Sequence, residues 1–224
     1  MNKWERKKNV FRILKPILFL ATVLIFCNSW RTVQASEMIK IPTGPFQTGV
    51  PDDGDLKTIE LEQFFIDRFE ITNREFGGWS ENHDFYPGTE AHPATQVTWQ
   101  EANDYCSAQN KRLPSSNEWE KAARGLDGRV YPWGNKKLKK KAHPFHSGIV
   151  KRKVGLNKKD VSYFGVRDMA SSVWEWTATN REDKKIIRGG LWNLHLDYEY
   201  GKTFDIALAS PERRFIFLGF RCAR

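Results

Sequence analysis

The feature that most constrains this chain is the lack of regular periodicity through most of its second half. After Pro132-Trp133-Gly134 the sequence is rich in glycine, proline, asparagine, lysine and aromatic residues, and a strand pattern returns only at residues 215–222. We therefore expect a loop-rich domain filled by large aromatic side chains, because coil must still satisfy its backbone groups and fill its interior. Of the nine tryptophans, seven lie after residue 35.

Helices are predicted where a hydroxyl is followed three residues later by glutamate, the capping box that satisfies backbone donors at a helix start. Gly125 is the predicted C-terminal stop of the last of these helices. In the second helix the apolar spacing places Cys106 on the inner face. The three predicted N-caps are Thr72, Thr98 and Ser115.

Strands are predicted on both sides of a turn within residues 38–49, and again over residues 61–69. No internal repeat and no change in composition divides the chain after residue 35. We therefore expect residues 36–224 to form one domain.

Residues 1–35 are unlike the rest of the chain. A basic stretch leads into the apolar run Ile17 to Phe26 and then into Val33-Gln34-Ala35. This pattern predicts a secretory signal peptide that is cleaved after Ala35, and hence a periplasmic or secreted domain with no transmembrane segment. The apolar run is only about ten residues, whereas a spanning helix needs roughly 20, so an uncleaved membrane anchor is the alternative.

Charge is unevenly distributed along the chain. Residues 1–35 carry seven basic and one acidic side chain, so they account for +6 of the net +9 and leave about +3. The segment from Lys136 to Lys159 has ten basic side chains and no carboxylate. It is either a solvated loop or a contact for an anionic surface. An exported protein is not expected to bind nucleic acid.

Two cysteines, Cys106 and Cys222, follow the predicted signal peptide, in a compartment where disulfides persist. A bridge between them is the simplest prediction. It would close a loop of more than 100 residues and contribute on the order of 4 kcal/mol by chain entropy.

Several motifs in fixed order resemble the formylglycine-generating enzyme (sulfatase-modifying factor) family. They are Lys111-Arg112-Leu113-Pro114-Ser115, Glu118-Trp119-Glu120, Ala122-Ala123-Arg124-Gly125, Tyr131-Pro132-Trp133-Gly134, Phe164-Gly165-Val166-Arg167-Asp168-Met169, Val173-Trp174-Glu175-Trp176-Thr177, Arg188-Gly189-Gly190 and Gly219-Phe220-Arg221-Cys222. The resemblance spans residues 38–224. It implies a C-type-lectin-like α+β fold with a small, mostly antiparallel sheet, two main helices and long coil. It also implies the Cys106–Cys222 disulfide.

The resemblance fails at the catalytic cysteines. The family's enzymes oxidise a sulfatase cysteine to formylglycine with a pair of thiolates that hold copper(I), and these lie shortly after Arg-Gly-Gly. Here Leu194 and Glu199 stand where the thiols would be, and Leu191 replaces the expected serine. Copper binding and formylglycine generation are therefore not expected.

The resemblance also implies calcium, which prefers six to eight oxygen ligands. Relatives have Gly-Asn where this chain has Ser171-Ser172, while Glu175 is retained. A calcium site at Ser172 and Glu175 is one expectation. The other is that Glu175 only hydrogen-bonds nearby backbone.

Two classes of function remain open. An oxidase could use His195, Asp197 and Glu199 to hold iron or another borderline metal. A non-catalytic module could bind a partner protein, peptide or glycan through an aromatic and cationic surface. The candidate residues of that surface are Arg188, Trp192, Tyr198 and Tyr200.

Overall fold

The computed structural model describes residues 37–51, 54, 56–136, 153–190 and 201–224. Its helices are α1 (Asn73–Trp79), α2 (Trp99–Ala108) and α3 (Ser116–Arg124). Each begins after a predicted N-cap, and both hydrogen bonds of the capping box are present in all three. The predicted helix starts are therefore confirmed. Within the described ranges no helix is long and apolar enough to cross a membrane.

Helix α3 ends at Gly125, as predicted. The backbone there has φ 72° and ψ −154°, a conformation that is essentially restricted to glycine. A Cβ atom at this position would lie 2.4 Å from the Cβ of Tyr163. Both the backbone angle and the packing therefore require glycine.

The N-terminal part forms two antiparallel strand pairs. Strand β1 (Met38–Ile41) pairs with β4 (Phe64–Asp67), and β2 (Gly44–Thr48) pairs with β3 (Lys57–Leu61). The two strands predicted within residues 38–49 are confirmed as β1 and β2. They do not pair with each other, because each pairs with a strand that comes later in the chain.

The four-stranded sheet of the described chain has the order β7-β6-β5-β8. Its strands are β5 (Trp174–Arg181), β6 (Lys184–Gly189), β7 (Ile206–Ala209) and β8 (Leu218–Gly219). Neighbours are antiparallel except β5 and β8, which are parallel. The expectation that the chain lacks strands between residues 134 and 215 was wrong, and the strand predicted over 215–222 is reduced to two residues.

The reason for this error is visible in β5. Its first four residues are all buried, so they do not alternate between apolar and polar. A shift in register between Trp176 and Asn180 then interrupts the pairing with β6. A strand that is buried on both faces and contains an irregularity has no period-two signature.

The last residues of the chain lie against its first half. The backbones of Phe65 and Arg224 exchange two hydrogen bonds of 2.8 Å, and Ala223 bridges both Ile66 and Arg112. One core packs α1 and α2 against the four-stranded sheet, and another packs α3 against β1 and β4. The C-terminal segment thus runs beside residues from both cores.

Candidate functional site

The disulfide between Cys106 and Cys222 is the first constraint on the chemistry of this chain. The two Cα atoms are 5.6 Å apart and both side chains are fully buried, so the predicted pairing is confirmed. The sequence contains three cysteines, and the third, Cys27, precedes residue 37. No thiol is therefore left in residues 37–224 to hold a soft metal ion.

Four buried carboxylates lie around the guanidinium of Arg221, and we call them the acidic cluster: Glu70, Asp160, Asp168 and Glu175. Glu175 is the best satisfied of them. Its Oε1 accepts from Nη2 of Arg221, and its Oε2 accepts from Nε of Arg221 and Nε1 of Trp119, all at 2.7 Å. Burial alone would lower the pKa of Arg221, but the ion pair with Glu175 raises it.

The other members of the acidic cluster lack equivalent partners in the described part of the chain. Neither oxygen of Glu70 accepts a hydrogen bond of normal geometry, and Nη2 of Arg221 is 3.7 Å from its Oε2. Oδ2 of Asp160 accepts from the Ala170 N–H at 2.9 Å and the Ser171 hydroxyl at 2.7 Å, while its Oδ1 has no partner.

This arrangement changes the proton affinity of the acidic cluster. Burial, followed by repulsion from Asp168, raises the pKa of Glu70 well above its usual range. Burial and repulsion from Asp160 raise the pKa of Asp168 to about 7, although the Gly155 N–H donates to it. Burial also raises the pKa of Asp160. The acidic cluster carries more negative charge than Arg221 balances, so it favours protons or an added cation.

The predicted calcium ligands fit this geometry only in part. Oε2 of Glu175 already accepts from Arg221 and Trp119, and Oε1 accepts from Arg221, so only one acceptor site of this carboxylate, on Oε1, is left for an ion. The Ser172 hydroxyl lies beside Glu70 and partly offsets the rise in its pKa. The unpartnered oxygens of Glu70 and Asp160 are the hard ligands that calcium prefers. In the described chain, no three acidic, histidine or cysteine side chains lie close enough together to hold a metal ion by themselves. Backbone oxygens or water would therefore have to complete the coordination shell of a calcium ion.

A second buried group of charges lies between α3 and β6, and we call it the arginine cluster: Arg124, Arg188 and Glu120. Oε1 of Glu120 accepts from Nη1 of Arg124, and Oε2 accepts from Nη2 of Arg188, both at 2.8 Å. Nε of Arg188 donates to the Ser116 hydroxyl at 2.8 Å. Burial lowers the pKa of Arg188. One carboxylate thus holds two guanidinium groups.

Only one of the three guanidinium nitrogens of Arg124 donates hydrogen bonds within this cluster. Its Nη1 also donates to the Gly49 carbonyl at 2.8 Å, but its Nε and Nη2 have no hydrogen-bond partner among the described residues. The guanidinium is fully buried and lies 5.2 Å from the ring centroid of Phe204. A buried guanidinium edge without a partner is unusual, because desolvating a charged donor is unfavourable.

Most of the predicted functional residues lie outside the described ranges. Arg188 is described and is buried in the arginine cluster. The basic run is described only at Lys136 and from Lys153 onward. The remaining predicted residues fall in 191–200 and stay predictions: Trp192, His195, Asp197, Tyr198, Glu199 and Tyr200.

Sequence reasoning missed the two buried charge clusters. The prediction for α3 considered only its apolar face. Ser116, Glu120 and Arg124 recur at intervals of four, so they form a second stripe on the same helix. Such a stripe normally indicates a solvated face, and only tertiary packing shows that it is buried.

A model of the sulfatase-modifying factor enzyme 1-like domain matches residues 27–224. The chain belongs to this family. The resemblance predicted from the ordered motifs is thereby confirmed over the whole described structure.

Family members with different activities are similarly related to this chain. The Bos taurus protein named inactive C-alpha-formylglycine-generating enzyme 2 is 28% identical, over 94% of this chain and 95% of its own length. The formylglycine-generating enzyme of Thermomonospora curvata is also 28% identical, over 84% and 93%. Overall similarity therefore assigns the family without assigning an activity.

The fold agrees with that of a solved structure. PvdO from Pseudomonas aeruginosa superposes with a TM-score of 0.71 at 22% identity, over 84% of this chain and 94% of its own. The predicted α+β fold of the sulfatase-modifying factor family is confirmed by this match and by the three helices and small sheets described above.

Proposed function

We propose that this chain is an exported, non-catalytic recognition or accessory module of the sulfatase-modifying factor family. The observation that carries the proposal is the use of its cysteines. Cys106 and Cys222 are joined in a buried disulfide, and the resemblance assigns Leu194 and Glu199 to the positions of the catalytic thiols. A copper(I) dithiolate site cannot be built from these residues.

The relation to the bovine protein supports this proposal. That protein is named as inactive, and its 28% identity extends over nearly the full length of both chains. An intact fold without catalysis is consistent with a domain that is retained for binding, because fold and function are separable.

We assign recognition to the residues that follow β6. Trp192, Tyr198 and Tyr200 supply aromatic area of the kind that dominates binding energy at protein interfaces. Arg188 precedes them, and Ser116 and Glu120 hold its guanidinium in a fixed position. In this proposal Arg188 supports the surface from within, and the partner is a protein, peptide or glycan.

Catalysis is tested directly with a peptide that contains the sulfatase cysteine motif. The purified chain, supplied with copper(I) and oxygen, should form no aldehyde on this peptide. The Thermomonospora curvata enzyme under the same conditions is the positive control. Aldehyde formation by this chain above the protein-free background would refute the non-catalytic proposal.

The competing oxidase would need a transition metal. Elemental analysis of the protein purified without chelator should find no stoichiometric iron or copper. If either metal is present and His195→Ala or Glu199→Ala removes it, the oxidase replaces the recognition module as the better explanation. Asn193→Ala, in the same stretch, is the matched control for nonspecific damage.

Export is tested in cells that express the full chain. The mature protein should be recovered outside the cytoplasm with Ser36 as its first residue. Leu18→Arg and Leu20→Arg each place a charge in the apolar run and should retain the precursor in the cytoplasm. Recovery of an intact N-terminus in the membrane fraction would instead support an uncleaved anchor.

We also propose that calcium binds the acidic cluster as a structural ion, through Glu70 and Asp160. Calcium added to chelator-treated protein at a hundred times its dissociation constant should stabilise the fold by about 2.7 kcal/mol, or roughly 5–10 °C in Tm. Glu70→Gln should abolish this rise, whereas Glu62→Gln, an exposed position, should not. An undiminished calcium effect in Glu70→Gln would contradict the assignment.

A further inference from the structure

The unpartnered edge of Arg124 is the edge that binds carboxylates elsewhere in this protein. Nε and Nη2 point to the same side of a guanidinium and form a two-donor fork that matches a carboxylate. Arg221 uses this fork on Glu175 at 2.7 Å for both contacts. Arg129 uses it on Asp127 at 2.8 and 2.7 Å. In Arg124 the same two atoms have no partner in the described structure.

The net charge of the groups around Arg124 indicates which charge a ligand would carry. Arg124 and Arg188 contribute two positive charges and Glu120 contributes one negative charge. Lys202 and Asp205, which lie next to them, cancel each other. The balance of these five groups is therefore +1. A monovalent carboxylate would neutralise it, whereas a phosphate dianion would leave a buried excess of negative charge.

We infer that the Nε and Nη2 edge of Arg124 is a binding site for a carboxylate group of a ligand. The carboxylate accepts two parallel hydrogen bonds from Arg124, in the geometry that Arg221 and Glu175 already display. Nη1 stays bound to Glu120 and the Gly49 carbonyl, so the guanidinium is held in place before the ligand arrives. Such preorganisation favours binding, because little side-chain freedom remains to be lost.

Phe204 is the aromatic neighbour of this guanidinium. Its half-buried ring lies over the guanidinium of Arg124, and the Lys202 ammonium is 5.7 Å from the same ring centroid. Because Arg124 is fully buried, a neighbouring group must move aside to admit a ligand, and we assign that movement to Phe204, whose ring contacts the guanidinium. Lys202 is partly exposed beside it and would attract an approaching anion.

This inference deepens the proposed function, since it names the chemical group that a partner would present. It rests on that proposal only in assigning the carboxylate to a partner. Carboxylate binding at Arg124 would stand even if the aldehyde assay showed the chain to be an enzyme. The two proposals can therefore fail separately.

The test is an NMR titration of the Nε–H signals of arginine in the 15N-labelled mature protein, with sodium acetate and sodium formate as probes. The Arg124 Nε–H should shift downfield and saturate. The Nε–H of Arg221, which already binds Glu175, should not move. Sodium chloride at the same ionic strength is the reference. Arg124→Lys assigns the signal and should weaken acetate binding at least about tenfold, because lysine keeps the charge but loses the fork.

Two further variants complete the design. Arg181→Lys replaces an exposed arginine and should bind acetate like the wild type. Phe204→Ala leaves the fork intact and should speed acetate association. If Arg124→Lys does not fold, the wild-type titration and Phe204→Ala still decide the question. An Arg124 Nε–H that ignores both carboxylates, or that responds equally to chloride or more strongly to phosphate, would overturn the inference.

Discussion

Replacing Glu175 by glutamine should lower the free energy of unfolding by about 3–5 kcal/mol, the usual effect of removing one partner from a buried ion pair. The carboxylate is fully buried and accepts three hydrogen bonds of 2.7 Å, two from Arg221 and one from Trp119. A glutamine amide keeps one acceptor and places a donor against the guanidinium. About two charge-assisted bonds, each worth roughly 1.5–3 kcal/mol, are therefore weakened or lost.

Urea unfolding at fixed pH and calcium concentration measures this loss, with Glu182→Gln as a control at an exposed turn. The control should change stability by less than about 0.5 kcal/mol. A double-mutant cycle with Arg221→Met should show that the double variant loses less than the sum of the single losses. A Glu175→Gln loss below about 1 kcal/mol would refute the reasoning. It would mean that Glu70, 3.7 Å away, neutralises Arg221 equally well.

Three further outcomes are expected. Unfolded, unreduced protein that begins at Ser36 should contain no titratable thiol, and replacing both Cys106 and Cys222 by alanine should remove about 4 kcal/mol in urea unfolding. Because the pKa of Asp168 rises from 3.8 to about 7 on folding, its contribution to stability is complete below pH 3.8 and is lost as the pH rises towards 7. In calcium-free buffer Asp168→Asn should flatten that part of the measured pH profile, and an unchanged profile would contradict the assignment. Gly125→Ala should destabilise by about 1–3 kcal/mol in thermal unfolding. Gly78→Ala, where an added Cβ meets nothing within 4 Å, should be neutral or stabilising, and equal effects would refute the steric argument.

Local signals explain what could be predicted from the sequence. A capping box places a hydroxyl and a carboxylate within one turn, so Thr98 and Ser115 mark helix starts without knowledge of the rest of the fold. The disulfide followed from counting cysteines. The family followed from motifs that keep their order even where the structure between them is irregular.

Non-local pairing explains what was missed. Strands β5 and β6 are stabilised by each other and by the helices that cover them, and their sequences do not alternate. The buried charges were missed for the same reason. Glu120 and Arg124 have the i, i+4 spacing that is typical of a solvated ion pair on a helix. Glu70 belongs to no motif or spacing pattern in the sequence. Only packing brings their partners within reach.

The position of Arg221 and its neighbours has a consequence for the order in which the chain can fold. Strand β4 needs the backbone of Ala223 and Arg224, α2 needs the thiol of Cys222, and Glu175 needs Arg221. All of these partners leave the ribosome after every other part of the domain. The N-terminal strands therefore cannot complete these contacts until residues 221–224 have been synthesised, which favours slow, late closure over stepwise folding. The proposed export would benefit from such a delay, since a precursor that cannot close remains unfolded for passage across the membrane.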